Sequence, residues 1–168
     1  MDEFFMKAAL DEAQNAFDLG EVPVGAVLVH RNEIIATGYN QVESLKDATA
    51  HAEMLCLKRG AERLGNWRLI GATLYCTLEP CAMCAGALIL SRVETLVWGA
   101  PDLRHGADGS LFQVLNEAHP IHQATVRRGI LKEACAEILQ TFFRERRASC
   151  KVRGPGKIDD FGAGDRPI

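Results

Sequence analysis

The sequence predicts an α/β layered fold with a largely parallel sheet, and three observations predict it. An amphipathic helical segment comes first, two β-branched runs joined by a two-residue turn follow, and strand-like and helix-like segments then alternate. With 168 residues, 48% hydrophobic and 24% charged, the chain has the length and balance of one soluble domain with a sizeable core. No internal repeat or second domain is visible, and no run nears the roughly 18 apolar residues of a membrane span.

Residues 2–19 read as the first helix, since Met6, Leu10, Ala13 and Phe17 fall on one face of a 3.6-residue period and Gly20 is a natural stop. The run from Val22 to His30 is continuously apolar enough for a buried strand. Arg31-Asn32 makes the turn, and residues 33–39 return as the partner of a hairpin. Residues 40–50 are polar without periodicity and read as a loop, with a helix from His51 to Leu64 after it. Residues 71–77 form a strand in which Ala72, Leu74 and Cys76 alternate with Thr73, Tyr75 and Thr77. Pro80 opens a helix from Cys81 to Leu90, and residues 93–99 are the next buried strand. A loop carrying Pro101, Gly106 and Gly109 follows, then a short helix over 111–116, a last strand over 125–128, and the longest helix over 130–147. Leu131, Cys135, Ile138, Leu139 and Phe142 lie along one side of that helix. Residues 1–147 are therefore expected to be the domain, and the glycine-bearing residues 148–168 a flexible tail.

The net charge of −3 argues against nucleic acid in bulk, but its distribution is uneven. Between Arg127 and Arg153 lie eight basic residues against three acidic ones, a local excess able to hold phosphates at short range. A solvated helix face is the plainer meaning of such a run. The acidic start, Met1-Asp2-Glu3, is unlike a secretory signal, so a cytoplasmic location is expected. Cys56, Cys76, Cys135 and Cys150 are scattered singly, whereas Cys81 and Cys84 form a C-x-x-C pair that reads as metal-binding or redox-active in a reducing cytosol.

His51-Ala52-Glu53 is an H-x-E at the head of one expected helix, and Pro80-Cys81-Ala82-Met83-Cys84 is a P-C-x-x-C at the head of another. Two thiolates and an imidazole suit Zn²⁺, one ion per subunit. Three protein ligands leave a fourth position for water, which marks a catalytic rather than a structural zinc. Helix N-termini favour the anionic forms of Cys81 and Cys84. Glu53, two residues from His51, can lie beside the metal without binding it and carry protons. Each motif alone is weak; in this order they form a known signature of zinc deaminases of nucleobases. His30, His105, His119 and His122 read as strand-end or loop residues, not ligands.

Around these motifs the chain resembles the bacterial tRNA-specific adenosine deaminase family. The likeness is carried by Val22-Pro23-Val24-Gly25-Ala26-Val27, Ala50-His51-Ala52-Glu53, Thr77-Leu78-Glu79-Pro80-Cys81-Ala82-Met83-Cys84-Ala85-Gly86-Ala87, Gly99-Ala100, Asp102, Gly109-Ser110-Leu111 and Phe142-Phe143-Arg144. It implies a cytidine deaminase-like, three-layer α/β/α fold with a mixed five-stranded sheet flanked by helices, a homodimer, and a tRNA anticodon stem-loop as substrate, whose wobble adenosine becomes inosine. It implies that Asn40 hydrogen-bonds the target base, that Ala52 belongs with the substrate-binding positions, that Asp102 and Phe143 contact the flanking nucleotides, and that Arg146 and Arg147 meet the stem-loop. Gln41 stands where the family usually has arginine, Ala48 where it has proline and Pro101 where it often has a basic residue; Cys76 fills a common valine position. Two alternatives share the motifs: a deaminase of a free base, nucleoside or nucleotide such as guanine, cytidine or deoxycytidylate, and a zinc-stabilised binding module without turnover, which would have no need of Glu53.

Overall fold

A computed structural model describes the backbone of residues 1–152 and the side chains of residues 1–149. Helix α1 (Asp2–Asp18) ends where Gly20, at φ +76°, takes the left-handed conformation, with the N–H of Glu21 donating to Ala16 O and that of Gly20 to Phe17 O. This is the bond pair that closes a glycine-terminated helix. Strands β1 (Gly25–His30) and β2 (Glu33–Tyr39) form the expected hairpin, and Arg31 and Asn32 both adopt positive φ, as a two-residue turn matched to strand twist requires. Then come α2 (Val42–Leu45), α3 (Ala52–Leu64), β3 (Ala72–Leu78), α4 (Ala82–Leu90), β4 (Thr95–Ala100), β5 (Thr125–Arg128) and α5 (Lys132–Val152).

The sheet has five strands in the order β2-β1-β3-β4-β5. It is mixed, as the family resemblance implies, and not largely parallel as the alternation of segments alone suggests: β1 is antiparallel to both β2 and β3, while β3, β4 and β5 run parallel. The long connection through α3 returns β3 beside β1 in the opposite sense, a direction that local patterning does not encode. Leu28, Leu74 and Leu96 align across three strands and pack with Cys56, Leu57, Leu88 and Ile89 of α3 and α4. Val27, Tyr75 and Val97 align on the other face against Phe5, Met6 and Ala9 of α1 and Cys135 of α5. Two apolar clusters thus flank one sheet, giving three layers. The alternation expected in β3 is masked, since Tyr75 and Thr77 are buried as well as Leu74 and Cys76.

Three local expectations are corrected. Residues 42–45 make a helical turn inside the expected loop. No helix covers 111–116: Leu111 and Phe112 donate to Gly106 O and Leu115 to Ala107 O, so bonds back into the preceding loop take the groups a helix would use. Helix α5 starts two residues late, after positive φ at Gly129 and Leu131, and it continues past Arg147 to Val152. The rest of the proposed tail, 153–168, lies outside the described residues.

One close approach sets the site. A Cβ on Gly38 would lie 2.6 Å from Ala52 O and 2.9 Å from Cys56 N, so only glycine lets β2 support the first turn of α3. Among the described residues no helix is long and apolar enough to cross a membrane.

Candidate metal centre and base pocket

His51 and Cys81 are the N-cap residues of α3 and α4, both extended (φ −71°, ψ 153° and φ −72°, ψ 173°). Their carbonyls accept the first helical bonds, from Leu55 at 3.1 Å and Ala85 at 2.8 Å, while neither side chain caps its own helix. Both side chains are free to converge. His51 Nδ1 lies 3.6 Å from Cys81 Sγ and 3.5 Å from Cys84 Sγ, and the two sulfurs are 3.6 Å apart. Tetrahedral zinc, with Zn–S of about 2.3 Å and Zn–N of about 2.0–2.1 Å, requires S···S of about 3.8 Å and S···N of about 3.6 Å. The trio fits a single ion, and it is the His/Cys cluster able to hold a metal among the described residues.

The electrostatics single out Cys81 as the thiolate of the pair and hold Cys84 as the thiol, where the helix N-termini alone suggest two thiolates. Hydrogen bonds from Cys84 and His51 bring the Cys81 thiol down to about 3, despite partial burial. The hydrogen bond with Cys81, together with burial, pushes Cys84 up, and the same Cys81 partner raises His51. Glu53, in the first turn of α3, is 3% exposed. Burial raises its carboxyl above the ordinary range, opposed by a backbone hydrogen bond and by the nearby His51.

Of the other expected residues, Asn40 is buried just after β2: its N–H bonds Val24 O, and the next residue, Gln41, bonds Ala50 O, one residue before His51. Ala52 is buried between ligand and acid. Asp102 lies near enough to His51 to raise its pKa, but its Oδ1 accepts the N–H groups of Arg104 at 2.9 Å and His105 at 3.2 Å. Phe143, Arg146 and Arg147 are not grouped with the trio; they occupy α5, on the α1 side of the sheet. Phe142 is the buried member of its pair, edge-on to Phe17 at 5.6 Å, while Phe143 is half-buried and the Arg146 guanidinium lies 5.2 Å over the Phe142 ring. His122 bonds Val93 O at 2.7 Å and His119 accepts the Ile121 N–H, both away from the trio.

Sequence reasoning passes over three buried carboxylates, Glu79, Asp108 and Glu21. Glu79, two residues before Cys81, accepts the backbone N–H groups of Asp102 (3.1 Å), Asp108 (2.9 Å) and Ser110 (3.2 Å) together with the Ser110 hydroxyl. It ties the 101–110 loop down over Cys81, which bridges to Gly106. Asp108 in turn accepts Trp98 Nε1 at 2.8 Å and two bonds from the Arg128 guanidinium, at 2.7 and 2.8 Å. Glu21 serves the 40–50 loop in the same manner. The only signal available was an acidic residue in an otherwise apolar stretch.

An α/β/α domain in which an H-x-E helix and a P-C-x-x-C helix meet over one end of the sheet defines the class of zinc deaminases. Residues 1–100 match the cytidine and deoxycytidylate deaminase zinc-binding region, so zinc is the cofactor this centre takes. The tRNA-specific adenosine deaminase of Bacillus subtilis is 52% identical over 151 residues, covering 90% of this chain and 94% of that protein. The chloroplastic tRNA(adenine(34)) deaminase of Arabidopsis thaliana is 53% identical over 87% of this chain, which spans only 12% of that much longer protein. A solved structure from studies of A-to-I editing by tRNA:A34 deaminases superposes with a TM-score of 0.78 at 43% identity, over 81% of this chain and 99% of its own. The chain belongs to the tRNA-specific adenosine deaminase family.

Proposed function

We propose that this protein converts the wobble adenosine of a tRNA anticodon to inosine by hydrolysis: water adds its oxygen at C6 of adenine, the C6–N bond breaks and ammonia leaves. The observation that carries this reading is the buried Glu53 carboxyl held against a His51/Cys81/Cys84 trio of zinc dimensions. His51, Cys81 and Cys84 would hold the metal. When bound, zinc supplies Lewis acidity, lowering the pKa of water from 15.7 toward about 7.

Glu53 would take a proton from the attacking water, deliver it to the ring nitrogen and return a second proton to the departing amine. A carboxyl raised by burial holds a proton more readily than an exposed one, which suits it to returning the proton it takes. Asn40 and Ala52 would line the base, Asp102 and Phe143 would meet the flanking nucleotides, and Arg146 and Arg147 would hold stem-loop phosphates. A single-stranded loop supplies bases that can be splayed into such a pocket. A cytoplasmic homodimer completes the proposal.

The test is ammonia release from an anticodon stem-loop with adenosine at the wobble position, set beside free adenosine, guanine and cytidine. Turnover confined to the stem-loop is expected; turnover of a free base or nucleoside alone would move the chain to the other deaminase class.

A further inference from the structure

Glu21 takes no part in the proposed chemistry, yet it is 1% exposed and sits between the end of α1 and the pocket. Its Oε1 accepts the Ser44 N–H at 2.7 Å, and its Oε2 accepts the Glu43 N–H at 3.2 Å and Asn40 Nδ2 at 3.4 Å. Asn40 is itself only 7% exposed. Its backbone is fixed by the bonds to Val24 and, through Gln41, to Ala50, each 3.0 Å long. The carboxylate is thus one side chain from the residue proposed to hold the base, and that residue is anchored next to His51.

An asparagine amide has a donor end and an acceptor end of nearly equal shape. A carboxylate only accepts, so an Oδ1 turned toward Glu21 would bury two acceptors face to face. The Nδ2 end must therefore point at Glu21, leaving Oδ1 and the second Nδ2 hydrogen as the groups Asn40 has to offer a base. We infer that Glu21 is a positioning residue that fixes the direction in which Asn40 presents its amide, and with it the donor and acceptor pattern offered to the base; this rests on the reading that Asn40 holds the base. A pocket that reads polar groups discriminates strongly when its own groups are held in one orientation, because the wrong base leaves them unpaired.

Glu21 also caps the backbone of residues 43 and 44, and the double variant separates the two roles, because a loss that acts through the cap persists when Asn40 is gone. Glu21→Gln keeps an oxygen for Ser44 and turns an NH₂ toward Asn40, which must then reverse its amide, and toward the Glu43 N–H, which loses its acceptor. The experiment measures kcat and KM on an anticodon stem-loop for the zinc-loaded wild type, E21Q, N40A and the double variant, with zinc content as a control. E21Q is expected to keep zinc, to lower kcat/KM about tenfold, mainly through KM, and to add no further loss on the N40A background. Wild-type kcat/KM in E21Q, or losses that multiply in the double variant while N40A alone is impaired, overturns the inference. Full kcat/KM in N40A rejects the reading of Asn40 itself, a result distinct from either. In the unsubstituted protein, NMR should find one Asn40 side-chain amide hydrogen shifted and slowed in solvent exchange relative to the other; both hydrogens at the shifts of a solvated asparagine, exchanging equally fast, overturn the inference without any variant.

Discussion

The Glu79 carboxylate takes the backbone N–H of Asp108 at 2.9 Å across 29 residues of chain, in a buried setting beside a metal-binding cysteine. With its bonds to Asp102 and Ser110, one side chain sets the course of the loop that covers the centre. Removing it leaves several buried N–H groups without an acceptor. Glu79→Ala is expected to cost about 3 kcal/mol of stability and to open residues 102–110 to limited proteolysis. A variant as stable and as resistant as the wild type would show that the loop is held by other means.

Gly38→Ala probes how β2 supports α3. The added Cβ has no room against Ala52 O and Cys56 N, so α3 must shift. A loss of about 1–3 kcal/mol is expected, together with weaker zinc retention, because His51 caps the same helix. Chemical denaturation and metal analysis measure both; zinc affinity unchanged in a destabilised variant would uncouple the strand from the centre.

Asp2 gives a pH signature remote from the centre. Burial alone would raise its pKa, but hydrogen bonds from Arg127 and Tyr75 outweigh this and hold it below 3.8. A carboxylate lowered by folding stabilises the protein above its unfolded value, and that contribution fades as the pH falls through the folded value. The Arg127–Asp2 pair, 3.0 Å apart and partly exposed, should contribute about 0.5 kcal/mol. Arg127→Ala is expected to be less stable than the wild type at neutral pH by that amount, with the gap closing in acid below 3.8. A gap that persists or widens in acid contradicts the assignment.

The centre was legible in the sequence because its ligands are local: His51 and Cys81 each head a helix, and Glu53 and Cys84 follow within one turn. The hairpin was equally legible, since Arg31-Asn32 separates two apolar runs. What escaped depends on partners distant in the chain. Glu21 and Glu79 act through backbone N–H groups of other loops, and Asp108 meets Arg128 twenty residues away, none of which leaves a periodic trace. The sheet's mixed direction, legible only through the family resemblance, follows from pairing between distant strands, and the unwound 111–116 segment from bonds back to Gly106 and Ala107, not from local propensity.

For Arg146 and Arg147, contact with stem-loop phosphates would release counterions. Replacing both with alanine should flatten the slope of log K against log salt by roughly 1.4–1.8. An unchanged slope would place the RNA on another face.

The central claim, that Glu53 moves protons beside a three-ligand zinc to deaminate a wobble adenosine, is tested most directly by sequencing tRNA after incubation with zinc-loaded protein. The wild type is expected to convert the wobble position to inosine, while Glu53→Ala leaves adenosine there with its zinc and fold retained. Full conversion by Glu53→Ala, or unconverted tRNA with the zinc-loaded wild type, would contradict the account.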